Sequence, residues 1–304
     1  MRMPWEWRPT WMGGALQVHI TRACDLACFG CTQGSNLAGK PVVMSLEHFE
    51  RAVQTLVDYP GVVGIFGGNP CVHPYFEEIC EILSKYIEFE HRGLWSNNLM
   101  GYGAICRKTF NPAYSNLNVH TSREAFEEIR RDWPEAFPKG LADSRHSPPF
   151  VAIKDMEDIS EEDMWRMIQT CDINKYWSAM VCVFRNQLRG YFCELAGAQS
   201  MLHENEKDYP DTGVEITHDW WKPNVNYFSS QISKHCPDCG IPLRGFGSLA
   251  IGGKVEQVSK THVDIYKMKR PGRTIEIVTS TKQLGGKVPR TTDYCENGLL
   301  RMAV

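Results

Sequence analysis

The sequence predicts an α/β protein: a partial (βα)6 barrel of the TIM type over residues 1–180, followed by a small α+β domain over residues 181–304. Three observations carry this. Short apolar strands alternate with amphipathic helices from Ala15 to about Ala179, the pattern of parallel strands joined by right-handed crossovers. The alternation stops near Cys182, where a hairpin-like stretch begins. At 304 residues the chain is long enough to bury one barrel-sized core and a smaller one beside it.

Taken in order, "LQVHIT" gives the first strand. Ser45 can cap a helix whose apolar positions Phe49, Ala52, Val53, Leu56 and Val57 follow helical spacing. "GVVGIF" (61–66) is the second strand, and a helix runs through Phe76, Ile79, Ile82 and Leu83. "HRGLWS" (91–96), a weak helix near 98–108, "SNLNVH" (115–120) and a helix over Arg123–Asp132 follow. Strand "PFVAIKD" (149–155), helix 159–170 and strand "YWSAMVCV" (176–183) close the series. Beyond it, "CVFRNQLRGYFC" (182–193) reads as a hairpin with a glycine near its turn, "ELAGAQSMLHE" as a helix, and "GSLAIGGKVEQVS" (247–259) as a second hairpin. Function is expected at the C-terminal ends of the barrel strands.

The net charge of −3 offers no global attraction to nucleic acid or anionic lipid. From Ile241 to Val304, eleven Lys and Arg stand against five Asp and Glu, which reads as a solvated face. The start "MRMPWEWRPTWMGG" interrupts any apolar core of a secretory signal with charges and prolines, and no run reaches the length of a spanning helix. A cytoplasmic location is expected. Twelve cysteines in such a chain point to metal or redox chemistry rather than disulfides.

Three of those cysteines, Cys24, Cys28 and Cys31, crowd the stretch "TRACDLACFGC" just after the first strand. Thiolates spaced C-x3-C-x2-C can hold three irons of a [4Fe–4S] cubane and leave the fourth iron open; a structural zinc site would want a fourth ligand, and Cys71 is forty residues away. The spacing and its place resemble the radical S-adenosylmethionine (radical SAM) superfamily. The resemblance implies that SAM chelates the open iron and is cleaved to a 5′-deoxyadenosyl radical, with the electron coming from a donor such as flavodoxin or ferredoxin. The family often places an aromatic residue before the third cysteine; here Gly30 stands there and Phe29 one earlier.

"GIFGGNPCVHP" (64–74) is similar to the family's "GGEP" segment, which implies SAM contacts from Gly67, Gly68, Asn69 and Pro70, with Asn69 where the family usually has Glu. "WSNN" (95–98) is similar to the turn near the SAM ribose, which brings in Ser96 and Asn97; Asn118 and His120 lie on alternate positions at the end of strand four. Cys71 is a candidate hydrogen-atom donor and Lys154 a candidate catalytic residue, with Asp155, Gln17 and His19 as candidate substrate contacts. Trp5, Trp7, Trp11, Trp220 and Trp221 read as packing residues.

Cys182 and Cys193 sit at the two ends of the expected hairpin, and "HCPDCG" places Cys236 and Cys239 in a C-x2-C knuckle that suits zinc or iron–sulfur. This set looks like the twitch domain, the shortened relative of the SPASM domain, which carries one auxiliary [4Fe–4S] cluster. Cys71, Cys80, Cys106, Cys171 and Cys295 remain, mostly as buried core thiols. The resemblance, together with a likeness over 145–245 to radical SAM proteins of bacterial saccharide gene neighbourhoods, implies oxidation or epimerisation of a sugar, cyclitol or nucleoside carbinol. Modification of a peptide and a non-catalytic iron–sulfur or zinc scaffold are the alternatives.

Overall fold

In a computed structural model, the described residues are 14–37, 42–140, 145–171, 178–222, 225–243, 248–249 and 255–284. Trp5, Trp7, Trp11 and Cys295 lie outside them. Strand β1 (Ala15–Thr21) is buried along its whole length and pairs in parallel with both β2 (Val62–Gly67) and β7 (Ser178–Phe184). Beyond β2 follow β3 (Arg92–Ser96), β4 (Asn116–Asn118) and the two-residue β5 (Pro138–Lys139), all parallel. On the other side, β7 turns back into antiparallel β8 (Gln187–Tyr191) and β9 (Val214–Glu215). The result is one eight-stranded sheet, ordered β5-β4-β3-β2-β1-β7-β8-β9. It continues without a break across residue 180.

Helices α1 (Leu46–Gln54), α2 (Phe76–Tyr86), α3 (Gly103–Thr109) and α4 (Arg123–Asp132) form the crossovers, with α5 (Glu161–Gln169) before β7. Ser45, Ser122 and Ser160 start α1, α4 and α5, each accepting a bond from a backbone N–H three residues on. The helices bury Phe49, Val53, Phe76, Ile79, Leu83 and Ile129 against Leu16, Val18, Ile20, Val63, Ile65 and Leu94. Alternation along β1 then turns Gln17 and His19 to the opposite face.

The strand expected over 149–155 does not form; Ile153–Asp155 is instead a 3-10 turn. Pro148 and Pro149 lack donors, and the donors that follow are committed to the C-terminal part of the chain: Ala152 N to Ser259 Oγ, Ile153 N to Cys239 O and Lys154 N to Pro237 O. The hairpin over 182–193 forms, but its turn is Arg185–Asn186, both in the left-handed region that a two-residue turn demands, with Phe184 opposite Gln187. Gly190 lies within β8, beneath the ring of Trp220. The hairpin expected over 247–259 is replaced by two other pairings: β10 (Ser248–Leu249) joins β6 (Arg145–His146), and β11 (Glu256–Val258) joins β12 (Ile275–Ile277).

Helix α6 (Glu194–Leu202) is buried at every position, as expected of a helix enclosed by its own domain. It packs on β7, and Gly197 admits the tip of Met180 where a side chain would collide. Helices α7 (Ser229–His235) and α8 (Val263–Lys269) complete this end. A second small core joins Leu37, Phe150, Leu202, Val258, Ile265 and Tyr266.

A β-carbon added at Gly190 would come within 2.5 Å of Cε3 of the buried Trp220. Gly190→Ala should therefore cost about 1–3 kcal/mol, read as a lower urea midpoint at unchanged slope; an unmoved midpoint would mean the indole yields freely.

Candidate active site and thiol centres

The loop after β1 carries Cys24, Cys28 and Cys31, and β2 ends against it. Gly68 N donates to Thr21 O and Asn69 N to Ala23 O, both at 2.8 Å. A β-carbon would meet Thr21 O at 2.3 Å from Gly67 and Ala23 O at 2.2 Å from Gly68. The glycine pair therefore works by close backbone approach, docking the cysteine loop on the sheet and spending on that docking the N–H groups of Gly68 and Asn69.

Each thiol has distinct neighbours. Cys24 Sγ accepts from Leu26 N at 3.4 Å and lies 3.8 Å from Asn97 Oδ1. Cys28 is buried, its Sγ 3.8 Å from His120 Nε2. Burial pushes the Cys24 thiol up to about 12, with the neighbouring Cys31 adding to the rise. Burial also raises Cys28, with Cys31 and Cys24 adding. The three sulfurs lie within electrostatic range of one another.

The loop is held on its far side as well. Gly30 adopts a left-handed backbone, φ 57°, and donates its N–H to Glu256 Oε1 at 2.7 Å. The Arg273 guanidinium lies 3.9 Å from the centre of the Phe29 ring and donates to Ala27 O at 3.2 Å. Tyr266 and Arg273 also bond Glu256. Arg22, buried, donates to Gly34 O at 3.2 Å and Met201 O at 3.1 Å. Neither this arginine nor the Glu256 clamp shows in any local motif.

At the strand ends, Pro70 opens a 3-10 turn capped by Asn69. Asn69 Oδ1 accepts from Cys71 N at 3.0 Å and lies 2.9 Å from Ser96 Oγ; Asn69 Nδ2 and Asn97 Nδ2 both donate to Asp25. Asn118 Oδ1 accepts from the backbone N–H of His120, which sits at φ 51°. His19, whose Nε2 is buried without a hydrogen-bond partner among the described residues, is lowered to about 3 by burial and stays neutral.

Cys71 is 2% exposed; its Sγ lies 3.9 Å from Ser96 Oγ and it also hydrogen-bonds Cys106, in the core behind the loop. Lys154 Nζ pairs with Asp238 at 2.6 Å and so braces the knuckle. Asp155 accepts from Ser259 Oγ at 2.7 Å and Thr261 N at 2.9 Å, joining the same two parts of the chain.

A second centre lies beside α6. Cys171, Cys193, Cys236 and Cys239 line one pocket of about 340 Å³, counting the space at its mouth. Burial raises Cys193, with Cys239, Cys171 and Cys236 contributing, and burial raises Cys239, with Cys171 contributing. His235 also lines the pocket, but Gln199 engages its Nδ1 at 3.1 Å and Thr212 its Nε2 at 2.9 Å. Cys182 is elsewhere. It faces Arg189 in the hairpin register, is fully buried on the Met180 face of β7, and is raised by burial against the opposing charge of Arg22.

Among the described residues, no group of three or more His, Cys, Asp or Glu closes around a point where one metal ion could sit. The donor sets, three thiols and four thiols, suit iron–sulfur clusters, in which each thiolate binds a different iron. Bound metal would reverse the raised thiol values by holding the sulfurs as thiolates.

Residues 18–132 match the family model described as the radical SAM superfamily. Among solved structures, the chain is similar to one titled "Crystal structure of BtrN in complex with AdoMet and 2-DOIA", at 12% identity and a TM-score of 0.44, over 64% of this chain and 83% of that one. No curated protein matches.

Because the β-carbon of alanine at position 68 would meet backbone rather than a flexible tip, Gly68→Ala should displace the cysteine loop. Its expected signature after anaerobic reconstitution is the loss of about four irons per chain with an unchanged far-ultraviolet spectrum. Full iron content would refute the docking role of the pair.

Proposed function

We propose that the chain is a radical SAM enzyme that removes a hydrogen atom from a carbinol carbon of a small molecule such as a sugar, cyclitol or nucleoside. The observation that carries this is the C-x3-C-x2-C loop of Cys24, Cys28 and Cys31, docked at the C-terminal end of the first parallel strand by the Gly68 and Asn69 N–H groups. Bound by those thiols, a [4Fe–4S] cluster with SAM supplies an electron to the sulfonium and so a carbon radical able to abstract hydrogen. The chain's own part is to leave one coordination position without a protein ligand, to fix the loop through Gly68, Asn69, Gly30 and Arg22, and to exclude water.

Between oxidation and epimerisation, two features favour oxidation. Cys71, the candidate to return a hydrogen atom, is 2% exposed, its Sγ enclosed between Ser96 Oγ at 3.9 Å and the core thiol Cys106. Cys171, Cys193, Cys236 and Cys239 are four thiols around one pocket. A site closed by four thiolates has no position for substrate and suits an acceptor of the second electron. On this reading the auxiliary cluster is held by Cys171, with Cys182 left outside the ligand set.

Anaerobic reconstitution tests both parts. The expected result is about eight irons per chain and release of 5′-deoxyadenosine from SAM with dithionite, abolished by Cys28→Ala. Full iron with no nucleoside release would favour a non-catalytic scaffold.

For the auxiliary site, Cys171→Ala should alter iron content or the cluster's spin signal, while Cys182→Ala leaves both unchanged. The opposite result would return Cys182 to the ligand set.

A further inference from the structure

The cysteine loop carries one acid whose surroundings are built and whose charge is unmatched. Asn69 is fully buried, and because its Oδ1 is taken by Cys71 N–H and lies beside Ser96 Oγ, its Nδ2 is turned outward. That Nδ2 donates to Asp25 Oδ1 at 2.8 Å. Asn97, 8% exposed, donates to the same carboxylate, at 2.9 Å to Oδ1 and 3.1 Å to Oδ2. Two buried side-chain amides from the ends of β2 and β3 therefore converge on one acid.

Neutral amides orient a carboxylate without cancelling its charge. Among the described residues no Lys, Arg or His pairs with Asp25, although the carboxylate is solvent-exposed and its Oδ1 lies 3.9 Å from Cys24 Sγ. Each carboxylate oxygen offers about two acceptor sites. Both on Oδ1 are used by the amides, and one on Oδ2 remains. An oriented acceptor with a site to spare, beside a cluster thiol, suits a ligand bearing N–H groups.

We propose that Asp25 is the acceptor for the α-amino group of SAM, an inference that rests on the radical SAM reading above. Asn69 and Asn97 act as positioning residues that aim the carboxylate. The pattern also accounts for an amide at position 69: a carboxylate there would stand against Asp25 at hydrogen-bond distance, and like charges so close repel.

The test is calorimetric titration of the reconstituted protein, under anaerobic conditions, with SAM and with its desamino analogue. The quantity read is the ratio of the two dissociation constants, which cancels damage common to both ligands. In Asp25→Asn, iron content should hold and the ratio should fall by about tenfold. A native ratio in Asp25→Asn would overturn the assignment while leaving the radical SAM reading intact. If native protein binds neither compound, that reading fails and the assignment with it. Asp25→Ser, equally uncharged and smaller, carries the same expectation if the asparagine variant does not assemble.

Discussion

The buried guanidinium of Arg22 is the contact on which the two ends of the molecule depend. It follows β1 directly, donates to Gly34 O at the far end of the cysteine loop and to Met201 O near the end of α6, and so fixes the loop's length between them. Burial of a cation is costly, and burial lowers the affinity of Arg22 for its proton. Two carbonyls and the negative charge of Glu204 offset that cost. Leu202 closes the same junction, since a β-carbon at Gly34 would already touch its methyl groups at 3.0 Å.

The second half of the chain thus supplies walls for the first. Glu256 and Arg273 grip Phe29, Gly30 and Ala27 from outside, while Ser259 and Thr261 bind Asp155. Phe29 is covered by the Arg273 guanidinium and the Gly30 N–H donates to Glu256. The knuckle is braced in the same way, by Lys154 on Asp238 and by His262 on the Asp238 carbonyl.

What the sequence made legible follows from range. C-x3-C-x2-C, the serine caps and the strand-helix alternation are encoded within a few residues, and they lie where local spacing puts them. The auxiliary set does not. Pairing Cys182 with Cys193 assumed a turn near Gly190; a two-residue turn at Arg185–Asn186 instead sets Cys182 opposite Arg189, four residues short. Cys171 joins Cys193, Cys236 and Cys239 around one pocket from just beyond α5, with no spacing motif to announce it. The strand expected over 149–155 failed for a related reason: its apolar run is buried, but its donors are claimed by residues more than eighty positions away. Asp25 lies inside the cysteine motif, but only the fold brings Asn69 and Asn97 to it.

Helix α6 connects the two thiol centres in one rigid piece. Cys193 is its N-cap and Met201 O, one residue from its end, takes the Arg22 guanidinium. Nine residues span about 14 Å, so the Cys193 thiol and the Arg22 guanidinium are held at opposite ends of one short rod. Its polarity suits both. The N-terminal end carries partial positive charge, which opposes the rise that burial imposes on the Cys193 thiol, and the C-terminal carbonyls favour the cation at Arg22. A helix buried on all sides cannot tilt to relieve a misfit at either end, so the separation of the two centres is set by its length. The helix is packed closely, with Gly197 cut back to admit Met180, and the eight-stranded sheet runs on past β7 into β8 and β9.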